Sequence, residues 1–141
     1  MTIRIRFALE SDINEISRLY NELCDYHLNF DSKYYNYPKP LDTSHLLPNI
    51  KNKQVIVVEL GKQLIGYLFF IKKTENSIEL MDMYINPKHQ NKSIGRRLYN
   101  FFEHNINNPN LLIELNVDVD NPAFLNIVRH EFKIASELVL N

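Results

Sequence analysis

A mixed α/β fold, with a mostly antiparallel central sheet, one parallel pair of strands and helices on its flanks, follows from three patterns in the 141-residue sequence. Between Gln54 and Ile85 three apolar extended segments follow one another through turns so short that neighbours must pair antiparallel. From Ile78 to Glu103 the chain reads strand, polar loop and helix, and another apolar strand follows from Leu111 to Val119. A strand–helix–strand crossover of that length lays the second strand parallel to the first. The hydrophobic share of 45% suits one core, so residues 1–141 are expected to form a single domain.

Taken in order, Ile3, Ile5 and Phe7 alternate with Arg4 and Arg6, the period of a strand with one buried face. Ser11-Asp12 offers a helix cap, with Glu15 placed to complete a capping box from Asp12. Ile13, Ile16, Leu19, Tyr20 and Leu23 then form the apolar stripe of a helix. Tyr26 to Pro40 mixes aromatic rings with Asn, Asp, Lys and two prolines, and Leu41 to Ile50 holds one short helix opened by Thr43-Ser44. Gln54 to Leu60 is a buried strand, Gly61-Lys62 a tight turn, Leu64 to Ile71 the next strand, and Thr74 to Ser77 the turn into the strand that ends at Ile85. A helix begins near Ile94-Gly95, with Ile94, Leu98, Phe101, Phe102 and Ile106 on its buried face. After the strand at Leu111 to Val119, Asn121-Pro122-Ala123 opens a helix running through His130, and Phe132 to Leu140 supplies a last strand.

Composition excludes several classes. Sixteen basic and 17 acidic residues give a net charge of −1, so no global field recruits nucleic acid or an anionic membrane. No apolar run is long enough to span a bilayer, and the alternating N-terminus is unlike a signal peptide; the expected compartment is the cytoplasm. His27, His45, His89, His104 and His130 lack metal-ligand spacing, and the single Cys24, on a helix, is expected to be a structural thiol.

The chemistry concentrates after Ile85. Asn86-Pro87 stops the strand, and Lys88-His89-Gln90-Asn91-Lys92-Ser93 leads into a helix whose first N–H groups lack intrahelical partners. Those groups and the positive end of the helix dipole favour an anion, phosphate above all, and Lys88, Lys92, Arg96 and Arg97 reinforce the preference. The same strand, loop and helix also occurs in domains that bind nothing there.

The fourteen residues from Ile85 to Leu98 resemble the acyl-CoA signature of the GNAT superfamily of N-acetyltransferases. Gln90, Gly95 and Leu98 match that signature, whereas Ser93 stands where Gly is usual and, as an L-residue, resists a positive φ. The resemblance implies a GNAT-like fold with acetyl-CoA as co-substrate. It implies that backbone groups of Met83 and Ile85 hold the pantetheine arm between two splayed strands. Gln90, Asn91, Lys92, Ser93, Ile94, Gly95 and Arg96 would then receive the pyrophosphate. It also implies a role for Asn121 near the cofactor, provided one residue is deleted after it, and puts Ile127 where many relatives carry the tyrosine that protonates the leaving thiolate. Tyr84 or water would supply that proton instead.

For the base, Glu79 matches a position used in the histone-acetylating branch and Asp82 one used in the polyamine-acetylating branch. Three residues apart on a strand, the two are expected to face opposite sides, and Glu79, with the longer reach, is the expected base. The aromatic segment, with Tyr26, His27, Tyr34 and Tyr35, is expected to shape a pocket for a small-molecule or peptide amine. The resulting expectation is an N-acetyltransferase acting by direct transfer. The alternative is an acyl-CoA sensor or partner-binding module that lost catalysis. Leu138-Val139-Leu140 at a sheet edge would allow a homodimer.

Overall fold

The computed structural model describes residues 2–28, 43–90, 93–106, 112–117 and 138–140, with side chains described at 2–25, 43–90, 93–106 and 112–114. Strands β1 (Ile3–Phe7), β2 (Val55–Leu60), β3 (Gln63–Thr74), β4 (Ser77–Ile85), β5 (Leu112–Val117) and β6 (Leu138–Leu140) form one sheet in the order of the chain. Neighbours from β1 to β4 are antiparallel, and β4 and β5 are the expected parallel pair. The three-residue β6 adds a second parallel step beside β5.

The sheet is covered on both faces, which is why β2 and β3 read as almost unbroken apolar runs. On one face α1 (Ile13–Leu28), α2 (Leu47–Lys51) and the turn before α2 bury Ile16, Leu19, Leu23, Leu46 and Ile50 against Val55, Val57, Tyr67, Phe69 and Tyr84. On the other, α3 (Ile94–Ile106) buries Ile94, Leu98, Tyr99 and Phe102 against Ile56, Val58, Leu68, Leu80 and Met83. Edge-to-face packing of Phe7 on Phe101, with ring centroids 5.4 Å apart, ties α3 to the first strand. Cys24 is buried on α1, as a structural thiol should be. Among the described residues no helix is long and apolar enough to cross a membrane.

Asp12 and Glu15 do not serve the expected capping box. Asp12 accepts the Leu9 N–H at 2.7 Å and two N–H groups of Arg6, and Arg6 also donates to Glu59 on β2. Glu15 accepts the Leu64 N–H, while Arg18 donates to the Leu64 carbonyl, to Glu15 and to Glu22. Asp12 thus closes the turn at the Leu9 N–H in place of capping α1, and part-buried Arg6 and Arg18 use both acids to tie β1 to β2 and α1 to β3.

Gly66 sits opposite Ile85 in the β3–β4 ladder, where a Cβ would lie 2.7 Å from the Tyr84 carbonyl oxygen and 2.6 Å from Ile85 Cδ1. The Ile85 side chain has room to turn; the carbonyl is backbone and does not. Gly66→Ala is therefore expected to cost about 1–3 kcal/mol, the usual range for overpacking, read as a lower Tm.

Candidate active site

The site is built where β4 leaves its neighbours. Among the described residues pairing with β5 runs from Ser77↔Leu112 to Leu80↔Leu115, while Asn116 and Val117 continue to pair with β6. In the β3–β4 ladder Phe70 faces Leu80 and Phe69 faces Asp82, so Met81 is an extra, bulged residue. A bulge bends and over-twists its strand, and here it turns Met81–Ile85 away from β5. Among the described residues β5 makes no ladder pair with β4 beyond Leu80, just where an extended ligand could add itself as a strand.

The bulge overturns the expectation that Glu79 and Asp82 face opposite sides. Ile78 and Leu80 before it, and Met83 and Ile85 after it, all pack in the α3-side core. Glu79, Asp82 and Tyr84 consequently share the α1 side, opposite Ile71, Phe69 and Tyr67, which pack in that core. One extra residue converts a separation of three into an effective separation of two, the same-face spacing of a strand.

On that face the Asp82 residue is only partly buried, yet its carboxyl is desolvated, and this burial pushes its pKa up to about 6 from an ordinary 3.8. The neighbouring Tyr67 phenol and the field of His45 act in the opposite sense. The Tyr84 hydroxyl donates to Glu22 Oε2 at 3.0 Å, and Asn86 Nδ2 donates to the same oxygen at 3.2 Å. Glu22, held by Arg18, thus fastens the end of β4 to α1.

The loop beyond is braced by its own side chains. Asn86 Oδ1 accepts the Lys88 N–H at 2.9 Å, and Gln90 Nε2 donates to the Ile85 carbonyl at 2.9 Å. Gln90 therefore holds the strand end in place. Ser93 adopts φ +59°, the left-handed conformation that its replacement of Gly made unexpected, and its carbonyl accepts the Arg97 N–H as α3 starts. Gly95 follows in the first turn, half-buried and without a side chain to obstruct the helix end. Ser93→Gly removes about 1–2 kcal/mol of left-handed strain and restores some freedom to the unfolded chain. A net gain of roughly 0.5–1 kcal/mol in denaturant unfolding is expected, with affinity for coenzyme A equal or improved.

Several expected site residues fall elsewhere. Asn91, Lys92, Asn121, Ile127, Tyr34 and Tyr35 lie outside the described residues. Tyr26 and His27 belong to the last turn of α1, with side chains outside the description. Sequence reasoning missed Tyr67 and Glu22. Tyr67 lay inside an apolar strand with nothing to mark its hydroxyl, and Glu22 reads as one more charge on a helix surface.

A model of the acetyltransferase (GNAT) family matches residues 16–132. The chain belongs to the GNAT acetyltransferase family. Solved structures share the family's fold with it at low identity. PaiA N-acetyltransferase from Thermoplasma acidophilum, in complex with coenzyme A, superposes with a TM-score of 0.75 at 20% identity, covering 92% of this chain and 87% of that one. YncA, a putative acetyltransferase from Salmonella typhimurium with acetyl-CoA, gives 0.70 at 21% identity over 92% and 78%. An aminoglycoside acetyltransferase from an uncultured soil metagenomic sample, in complex with sisomicin, gives 0.73 at 17% identity over 99% and 93%. No curated protein matches the sequence.

Proposed function

We propose that this protein moves an acetyl group from acetyl-CoA directly to the amine of a small molecule, amino acid or peptide. The observation that carries the proposal is the end of the described β4–β5 pairing at Leu80↔Leu115, beyond which β4 runs into a braced loop and the start of α3. Acetyl-CoA would supply the activated acyl group and a leaving thiolate. Backbone groups of Met83 and Ile85 suit the pantetheine arm, and the first turn of α3 from Ser93 through Arg96 suits the pyrophosphate. Asn91, Lys92 and Asn121 retain the roles that the family pattern suggests.

Asp82 is the better-placed base. Glu79 stands opposite Glu114 where β4 and β5 are still paired, whereas Asp82 lies beyond the last paired residue, beside the opening. A carboxyl with a pKa of about 6 is mostly ionised at neutral pH yet basic enough to take a proton from an attacking amine. For the leaving thiolate, Tyr84 could give its proton only by releasing Glu22, so water competes with it for that role.

The proposal keeps a cytoplasmic setting, and it allows a homodimer through β6, the last strand in the sheet order. Calorimetric titration with acetyl-CoA, followed by release of free thiol across an amine panel, tests the whole reading. Absence of binding at millimolar ligand would refute it, and binding without turnover would leave a sensor.

A further inference from the structure

Tyr67 is fully buried, and among the described residues its hydroxyl closes no hydrogen bond. Burying an unsatisfied phenol is costly, and Phe would fill the same space without that cost. Burial, above all, and the fields of Asp82 on β4 and of Tyr20 and Cys24 on α1 push the pKa of this phenol up. His45, from the turn before α2, faces Asp82 as well. On β4 itself, Tyr84 is directed to Glu22, and Glu79 lies on the same face two strand positions before Asp82 once the bulge is counted. Tyr67 is the cross-strand partner of Tyr84 and Phe69 that of Asp82, so Tyr67 stands diagonal to Asp82 on one face.

We propose that Tyr67 is a positioning residue for the acceptor's proton transfer, its phenolic O–H donating to the Asp82 carboxylate and aiming the free oxygen at the opening between β4 and β5. The inference rests on the assignment of Asp82 as base made above. The geometry favours it because Tyr67 is buried diagonal to Asp82 on the same face, with its hydroxyl unpaired among the described residues. Burial keeps the phenol protonated across the working pH range, so it acts only as a donor. When the carboxyl is neutral, the phenol loses a charged acceptor, so the contact is strongest in the state that accepts the amine proton.

A test that needs no substrate follows the Asp82 carboxyl by 13C NMR through a pH titration, its signal assigned by disappearance in Asp82→Asn. Tyr67→Phe should raise the Asp82 midpoint by about one pH unit, the usual worth of a hydrogen bond to a charged group. Placing 3-fluorotyrosine at position 67, a stronger donor of nearly the same shape, should lower it. The acidic limb of kcat/KM should move with each midpoint while affinity for acetyl-CoA holds. An unmoved midpoint in both variants would overturn the role of Tyr67 alone. Wild-type kcat/KM in Asp82→Asn would overturn the base assignment, and with it the catalytic part of this inference.

Discussion

Asp82→Asn is expected to lower kcat/KM by roughly 10²- to 10⁴-fold at neutral pH, the usual contribution of a positioned general base. The loss should shrink as pH rises, because the free amine becomes abundant and needs less help. Glu79→Gln should cost much less, since Glu79 lies where β4 and β5 remain paired. A thiol-release assay across pH 5–9 checks both. Equal profiles for Asp82→Asn and wild type, with a loss in Glu79→Gln, would move the role to Glu79.

Stability gives this prediction an independent control. The folded-state pKa of Asp82, about 6, lies above its ordinary 3.8. The folded protein therefore holds that proton more tightly than the unfolded chain, and the contribution of Asp82 to stability falls as pH rises from about 4 to 6. Asn carries no charge to bury. Asp82→Asn should then be at least as stable as wild type above pH 6, so lost activity will not reflect lost fold.

Gly95→Glu should abolish binding of acetyl-CoA, weakening it by at least about 100-fold, because it sets a carboxylate where the pyrophosphate would lie, and opposed like charges cost several kcal/mol. An acidic side chain in the first turn of α3 also meets the unpaired N–H groups and the positive end of the helix dipole. The variant should therefore fold with undiminished Tm while calorimetry finds no acetyl-CoA binding. A folded Gly95→Glu protein with wild-type affinity would show that the first turn of α3 is not the anion site.

Much of the fold was legible in the sequence because it rests on local rules. The β-branched run in Val55–Leu60 and the apolar, aromatic run in Gln63–Thr74, the short turns between strands and the helical spacing of Ile94, Leu98 and Phe102 specify their elements. Strand, helix and strand in succession then made β4 and β5 parallel. The loop from Gln90 to Gly95 was readable as a candidate anion site because that reading depends on backbone and on an absent side chain, and both are written as residue type.

The catalytic face was not legible in the same way. Parity counting along β4 assumes an unbroken pleat, and the bulge at Met81 breaks it, carrying Asp82 onto the side of Glu79. A bulge arises from how two strands are drawn together and has no fixed residue signature. The conformation of Ser93 was likewise misjudged, because intrinsic preference disfavours a positive φ and the surrounding loop imposes one. The diagonal placement of Tyr67 beside Asp82 and the fastening of Tyr84 to Glu22 join residues distant in the chain. By itself, then, the sequence determined the described strands and main helices, their order, the parallel pair and a candidate anion loop, all of which follow from neighbours along the chain. Only the tertiary structure decided that Glu79 and Asp82 share one face, how desolvated Asp82 is and that Tyr67 stands diagonal to it, because burial and cross-strand contact exist only once the sheet has closed around them.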